Sequence, residues 1–333
     1  MTVTPVRRRG GVHRLGATIG WAAVRALVTG GAGFIGSNLA DGLLAEGFDV
    51  RVLDDLSTGF RDNVPAGADL VEGDVRDEAA VRAAVAGVDV VFHQAAHRAV
   101  LQSVQNPLST DLANTHGTLL VLKAAQDAGV RRVVAASSSS VYGGAAQLPT
   151  PESAPLLPRS PYAVSKLAGE HYCRVWAELF GLETVALRYF NVYGPRQRPD
   201  PAYAAVIPLF ARALRTGARP VVHGDGGQSR SFAYIDDVVA ANLAAATAPA
   251  EACSGKAYNI AGNRRSTLLE LLDELGAILG VKVDPEHTEA RAGDIRHSFA
   301  DITAAGRDLG WEPKVDLTDG LRRTVEWFAG RDG

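Results

Sequence analysis

A short apolar run, Arg25–Thr29, leads without a linker into Gly30-Gly31-Ala32-Gly33-Phe34-Ile35-Gly36, and this GxxGxxG opens a stretch of helical apolar periodicity. Strand, tight turn and amphipathic helix in that order create a helix N-terminus whose unpaired N–H groups can receive a pyrophosphate. A glycine triplet alone is a weak signal; the context makes it specific. Gly30 permits the turn, Gly33 lets the backbone approach phosphate, and Gly36 lets the helix sit close to the strand. Phe34 and Ile35, inside the same turn, are assigned to the same dinucleotide site.

The pattern then repeats. Apolar runs at residues 50–53, 69–71, 88–92, 132–136 and 184–189 alternate with helical patterns at 34–46, 77–86, 110–128 and 162–180, with Gly47 and Gly129 as helix stops. Such alternation predicts βαβ units and an α/β fold, a Rossmann-type doubly wound parallel sheet spanning residues 24–190. After Asn191 the chain is punctuated by Gly194, Pro195, Pro199, Pro201 and Pro208, which predicts a smaller mixed lobe over 191–333 for substrate binding. Segments near 236–262 are expected to pack back on the sheet.

Composition excludes several classes. With 333 residues, 47% hydrophobic, the chain can bury a large core, and its formal net charge of -3 is spread without a positive stripe for nucleic acid. Cys173 and Cys253 have no CxxC spacing, so no disulfide framework and no metal site are expected. No apolar run is long enough to span a bilayer, and a cytoplasmic enzyme is the expectation. Residues 1–23 carry Arg7, Arg8, Arg9 and Arg14 but lack the apolar stretch of a targeting segment. They read as a disordered extension, or translation begins at Val24.

Asp54 ends the second strand about twenty residues beyond the glycines, where a carboxylate accepts from adenosine ribose hydroxyls and repels a 2′-phosphate. NAD is thereby favoured over NADP. The alternative is that Asp54 and Asp55 only begin a polar turn. Asp74, with Val75 beside it, follows the third strand and is placed to reach the adenine amino group; otherwise it caps the next helix.

Tyr162 and Lys166 lie four apart at the start of a predicted helix, on one face. A phenol titrates near pH 10, so service as a base near neutrality requires a fall of roughly 3 units, about 4 kcal/mol of phenolate stabilisation. An ammonium and a positive nicotinamide ring are suited to supply it. Ser137-Ser138-Ser139-Ser140 follows the fifth strand, which puts hydroxyls at the carboxyl edge of the sheet where ligands of such folds bind.

TGGAGFIG from Thr29, LDDLSTG from Leu53, GDV from Gly73, HQAA from His93, SSSSVYG from Ser137, SPYAVSK from Ser160, RYFNVYGPRQ from Arg188, RSFAYIDDV from Arg230 and RAGDIRHSFAD from Arg291 together resemble the extended short-chain dehydrogenases that modify nucleotide sugars. Within that group the chain is most similar to UDP-glucose and UDP-N-acetylglucosamine 4-epimerases, over about residues 25–329. The resemblance implies that Tyr162 takes the proton of the sugar 4-hydroxyl while hydride passes to NAD. The 4-keto sugar then turns and is reduced on its other face. It also implies Ser138 as the active-site hydroxyl, Lys166 on the nicotinamide ribose, and Ala95 and Arg98 against the cofactor. On the substrate side it implies Asn191, Arg230 and Arg291 around the diphosphate and Val222 near the base, with Ser103 a further candidate for sugar hydroxyls. Two arginines suit phosphate by bidentate donation.

Related 4,6-dehydratases carry an Asp-Glu pair after the active-site hydroxyl, and this chain has Ser139 and Ser140 there. Ser298 stands where glucose-restricted epimerases place a bulky tyrosine, which predicts room for N-acetylated sugars. A UDP-glucuronate 4-epimerase, a dTDP-sugar epimerase or dehydratase, and a catalytically silent NAD-binding module remain as alternatives. Relatives commonly form homodimers through the helices at 110–128 and 162–180, and a homodimer is expected.

Overall fold

The structure, a computed structural model, describes residues 24–144, 147–198, 205–290 and 295–330. The expected extension at 1–23 lies outside them.

Seven parallel strands form the central sheet: β1 (Arg25–Thr29), β2 (Asp49–Asp54), β3 (Asp69–Glu72), β4 (Val90–His93), β5 (Arg132–Ser138), β6 (Glu183–Tyr189) and β7 (Lys256–Ile260). Their spatial order is β7-β6-β5-β4-β1-β2-β3. The winding direction reverses between β1 and β4, and the carboxyl ends of the strands there open a crevice.

Strand periodicity sorts side chains between two cores. On β1, Ala26 and Val28 enter the core shared with α1 (Phe34–Ala45) and α5 (Ile235–Thr247), while Leu27 enters the other. The second core is closed by α2 (Glu78–Val85), α3 (Gly117–Asp127) and α4 (Pro161–Phe180), which contribute Val81, Val121, Leu122, Cys173 and Trp176. Both faces of β1, β4 and β5 are buried, which explains why these strands read as apolar runs rather than alternations.

Local chemistry sets the ends. Asp77 caps α2 by accepting from Ala79 and Ala80 N–H, and Ser160 caps α4 by accepting from Ala163 N–H, with Pro161 at the first helical position. The helix expected at 110–128 runs without interruption over Pro107–Asp127, but with a π-turn at Leu112–His116 between an α-helical turn at Pro107–Asp111 and α3. The wide turn carries Asn114, whose side chain is fixed by the backbone N–H and C=O of His97 at 2.7 and 3.1 Å. That tertiary pairing has no periodicity signal.

Beyond Asn191 the chain returns to the sheet twice, as α5 packed on α1 and as β7 at the edge. The remaining small strands pair among themselves: Val192–Tyr193 with Ala233–Tyr234, Ser229–Ser231 with Arg265–Thr267 and His297–Ser298, and Val221–His223 with Glu286–Thr288. Helix Leu268–Leu279, with a Thr267/Glu270 capping box, packs beside Arg265–Thr267.

Candidate active site

A cleft of about 360 Å³ runs along the carboxyl ends of the strands. At one end β1 turns through Gly30, with φ +69, and α1 starts after Gly33, which offers no side-chain cap. The first N–H groups of α1 are therefore left for a ligand, as a pyrophosphate requires. A Cβ on Gly36 would stand 2.1 Å from the Gly30 oxygen, so only glycine lets the helix approach the turn. Phe34, Ile35, Val75, Ala95 and Arg98 line the same cleft with Gly30, Gly33 and Gly36.

Asp54 is buried at the tip of β2, accepting from Ala32 and Leu56 N–H at 2.9 and 2.8 Å. Burial raises its pKa and those two donors pull the other way. Each oxygen keeps a lone pair for a ribose hydroxyl. Asp74 also lines the cleft but is clasped by Arg76, whose Nε lies 2.8 and 2.9 Å from its two oxygens, and this ion pair holds Asp74 below the usual carboxylate range. Any reading of adenine by Asp74 has to share the carboxylate with that guanidinium.

At the other end, Ser138 leaves β5 and Tyr162 and Lys166 project from the first turns of α4. Tyr162 and Ser138 share this end of the cleft wall, and the Lys166 Nζ stands 6.0 Å from the Tyr162 ring centroid. Lys166 donates to the Ala136 carbonyl at 2.9 Å. Burial brings its ammonium down to about 8 from 10.5. For Tyr162, burial pushes the phenol up more than Ser138 and the Arg98 charge pull it down. Burial thus outweighs these two influences and keeps the phenol protonated. His93, buried behind the pair, is bonded to Thr29 and Thr118 at 2.8 and 2.9 Å and pushed down to about 3 by burial and Lys166, so it is a neutral strut.

The substrate-side residues divide. Asn191, at φ 39, lines the cleft and donates to the Ser231 carbonyl at 2.9 Å. Arg230 and Ser298 are also outside the cleft lining; they are register partners on adjacent strands, and Arg230 donates to the Ser229 carbonyl at 3.0 Å. Ser103 and Val222 do not line the cleft. Ser103 is fully buried and donates to the Val100 carbonyl one turn back, while Val222 points into the main core beneath helix Leu268–Leu279. A hydroxyl that bonds its own helix and an inward-facing strand position explain both outcomes. Arg291 lies outside the described residues. Gln94, His97, Tyr189, Gln197 and Arg198 also line the cleft without having been singled out. HQAA and RYFNVYGPRQ, already noted as motifs, were the available signal for three of them, Gln94, Tyr189 and Gln197.

Among the described residues no cluster of three His, Cys, Asp or Glu suits a metal, and no helix is long and apolar enough to cross a membrane.

A Rossmann sheet, an uncapped glycine-turn helix and a half-buried tyrosine–lysine pair at one cleft define an NAD-dependent enzyme of the extended short-chain dehydrogenase type. The chain belongs to the NAD dependent epimerase/dehydratase family, whose model matches residues 26–261. It is 39% identical over 319 residues to a UDP-glucose 4-epimerase of Mycolicibacterium smegmatis, covering 92% of this chain and 99% of the relative. Among solved structures, the Thermotoga maritima UDP-glucose 4-epimerase with UDP-glucose superposes with a TM-score of 0.89 at 37% identity, covering 93% of this chain and 100% of that one. A Streptomyces venezuelae dTDP-glucose 4,6-dehydratase with NAD bound gives 0.85 at 35% identity, covering 93% and 98%.

Proposed function

We propose that the protein inverts C4 of a UDP-hexose, interconverting UDP-glucose and UDP-galactose and accepting the N-acetylated pair. Overall similarity does not separate epimerase from dehydratase. The observation that carries the choice is the loop after Ser138: Ser139 and Ser140 offer no carboxyl group for eliminating water, while Ser138, Tyr162 and Lys166 are together. Gly30, Gly33, Gly36 and Asp54 would hold NAD, which when bound supplies the hydride acceptor and donor. Tyr162 takes the O4 proton as the C4–H bond breaks, then returns a proton to O4 after the 4-keto sugar has turned its other face. Ser138 orients O4, and Lys166 stabilises the phenolate. Asn191 and Arg230 serve the diphosphate. Incubation with UDP- and dTDP-sugars without added NAD, with C4 configuration read by NMR, tests this. UDP-glucose should equilibrate with UDP-galactose; exclusive loss of water to a 4-keto-6-deoxy product, or turnover of UDP-glucuronate alone, would replace the reading.

Ser298 beside Arg230 supports tolerance of an N-acetyl group. Ser298→Tyr should lower kcat/KM for UDP-N-acetylglucosamine by about 10-fold or more while leaving UDP-glucose within about threefold. Equal effects on both sugars would remove Ser298 from the specificity argument.

We further propose a homodimer. Leu101, Val104, Leu108 and Leu112 leave apolar side chains exposed beside Val164 of α4, with Leu108 77% exposed. Such a contiguous face suits a second copy of itself. The wild type should sediment as a dimer and Val104→Glu/Leu108→Glu as a monomer; an unchanged dimer places the interface elsewhere.

A further inference from the structure

Behind the catalytic pair lies a buried ionic network that the reaction as read above does not use. Glu170 stands one turn beyond Lys166 on α4 and takes a two-pronged ion pair from Arg188 of β6, with Nε–Oε1 2.9 Å and Nη2–Oε2 2.7 Å. Both side chains are buried, at 6% and 5% exposure. Arg188 also donates to the Tyr142 hydroxyl at 2.7 Å, and Tyr142 donates to Asn259 Oδ1 at 2.7 Å. The Glu170 Oε1 accepts from Ser137 Oγ, the residue directly before Ser138. Ser137 and Tyr142 therefore anchor both ends of the turn that presents Ser138. A buried ion pair rarely stabilises more than apolar side chains of the same volume, so its contribution is better sought in geometry and charge.

A second observation places the charge. A small cavity of about 10 Å³, room for a single water molecule, is lined by Lys166, Glu170, Ser137, His93 and Thr118. Arg188 is not in its wall. Glu170 and Lys166 thus share the wall of this cavity, and the Lys166 ammonium has three donors and uses one on Ala136. The other ionisable groups near Lys166 contribute no second anion to this wall. His93 of β4 is neutral, the Cys173 thiol is pushed up to about 12, and Tyr162 is a phenol. Arg188 of β6 lies beyond Glu170, with Tyr142 and Glu152 behind it, and Arg98 acts on Tyr162 from the cleft side.

We propose that Glu170 is a positioning residue for the catalytic pair: through Ser137 it holds Ser138 against Tyr162, and across the small cavity its carboxylate keeps Lys166 charged. This rests on the reading of Tyr162 and Lys166 given above. Glu170→Gln preserves volume and removes one negative charge, which favours loss of protons from every neighbouring group. The protons of the Tyr162–Lys166 pair therefore leave at lower pH.

The test uses the NAD-bound protein. In Glu170→Gln, kcat with UDP-glucose should fall about 10-fold near neutral pH with KM within about twofold, and both limbs of the pH profile should move to lower pH. A titration that needs no turnover runs beside it: NMR of ζ-carbon-labelled tyrosine, with the Tyr162 signal identified by its loss in Tyr162→Phe. Its midpoint should fall in Glu170→Gln. Ser137→Ala, which leaves the ion pair intact, should lower kcat several-fold with limbs unmoved. If Glu170→Gln does not hold NAD, Glu170→Asp takes its place, with reduced kcat and wild-type limbs expected, because it keeps the charge and withdraws the strut. Unmoved limbs and an unmoved tyrosine midpoint in Glu170→Gln, wild-type kcat in Ser137→Ala, or shifted limbs in Glu170→Asp would each overturn the proposal. A Tyr162→Phe enzyme that still turns over sinks the reading of the pair instead, and the wild-type rate identifies that case.

Discussion

Tyr162→Phe should lose at least about a thousandfold in kcat while retaining NAD and binding UDP-glucose with little change in affinity. The substitution removes one oxygen, and with it the group at this end of the cleft, among the described residues, best suited to take the O4 proton. Lys166 is an ammonium already bonded to Ala136, Ser138 is an alcohol, and His93 is sealed behind the pair by Thr29 and Thr118. The ring itself remains, so the packing around α4 should survive. Calorimetric titration with UDP-glucose and the absorbance of bound cofactor check binding, and NMR of the sugar checks turnover. Residual activity within about 10-fold of wild type would mean that another base operates and that the assignment of Tyr162 is wrong.

Gly36→Ala should abolish cofactor retention and lower thermal stability. The added methyl would sit 2.1 Å from the Gly30 oxygen and 2.8 Å from both the Gly30 carbonyl carbon and the Gly31 Cα, all of them backbone atoms. Side chains can rotate away from a clash; this turn cannot without breaking the Gly30 N–H bond to Leu53 and the Gly33 bond to Gly30. α1 must then tilt from β1, which moves the N–H groups that face the pyrophosphate. Overpacking of this kind costs about 1–3 kcal/mol, a fall in melting temperature of several degrees for a chain of this size. Cofactor content after gel filtration and a thermal melt measure the two effects. A variant that keeps stoichiometric NAD would show that the helix start does not form the phosphate site.

The cofactor half was readable because its signals are local. Each strand, its following turn and its helix sit within a few residues, and Gly30, Gly33, Gly36 and Asp54 belong to neighbouring elements joined by β1–β2 pairing. The substrate half was less readable. Val222 and Ser103 came from motif correspondence, and nothing in their immediate sequence says which way a side chain faces on a three-residue strand or a six-residue helix. The π-turn at Leu112–His116 was not legible for a related reason: its Asn114 is bonded to the backbone of His97, seventeen residues earlier.

By itself the sequence determined the doubly wound sheet, the glycine turn and the tyrosine–lysine spacing, since helical and strand periodicity and backbone sterics act over short range. Only the tertiary structure decided which charges meet. Glu170 and Arg188 lie on different elements, α4 and β6. The balance of burial against nearby charge that leaves Tyr162 protonated and Lys166 near 8 depends on how closely β5, β6 and α4 pack. Desolvation and Coulomb energy vary with distance in three dimensions, and the order of residues along a chain does not specify that distance.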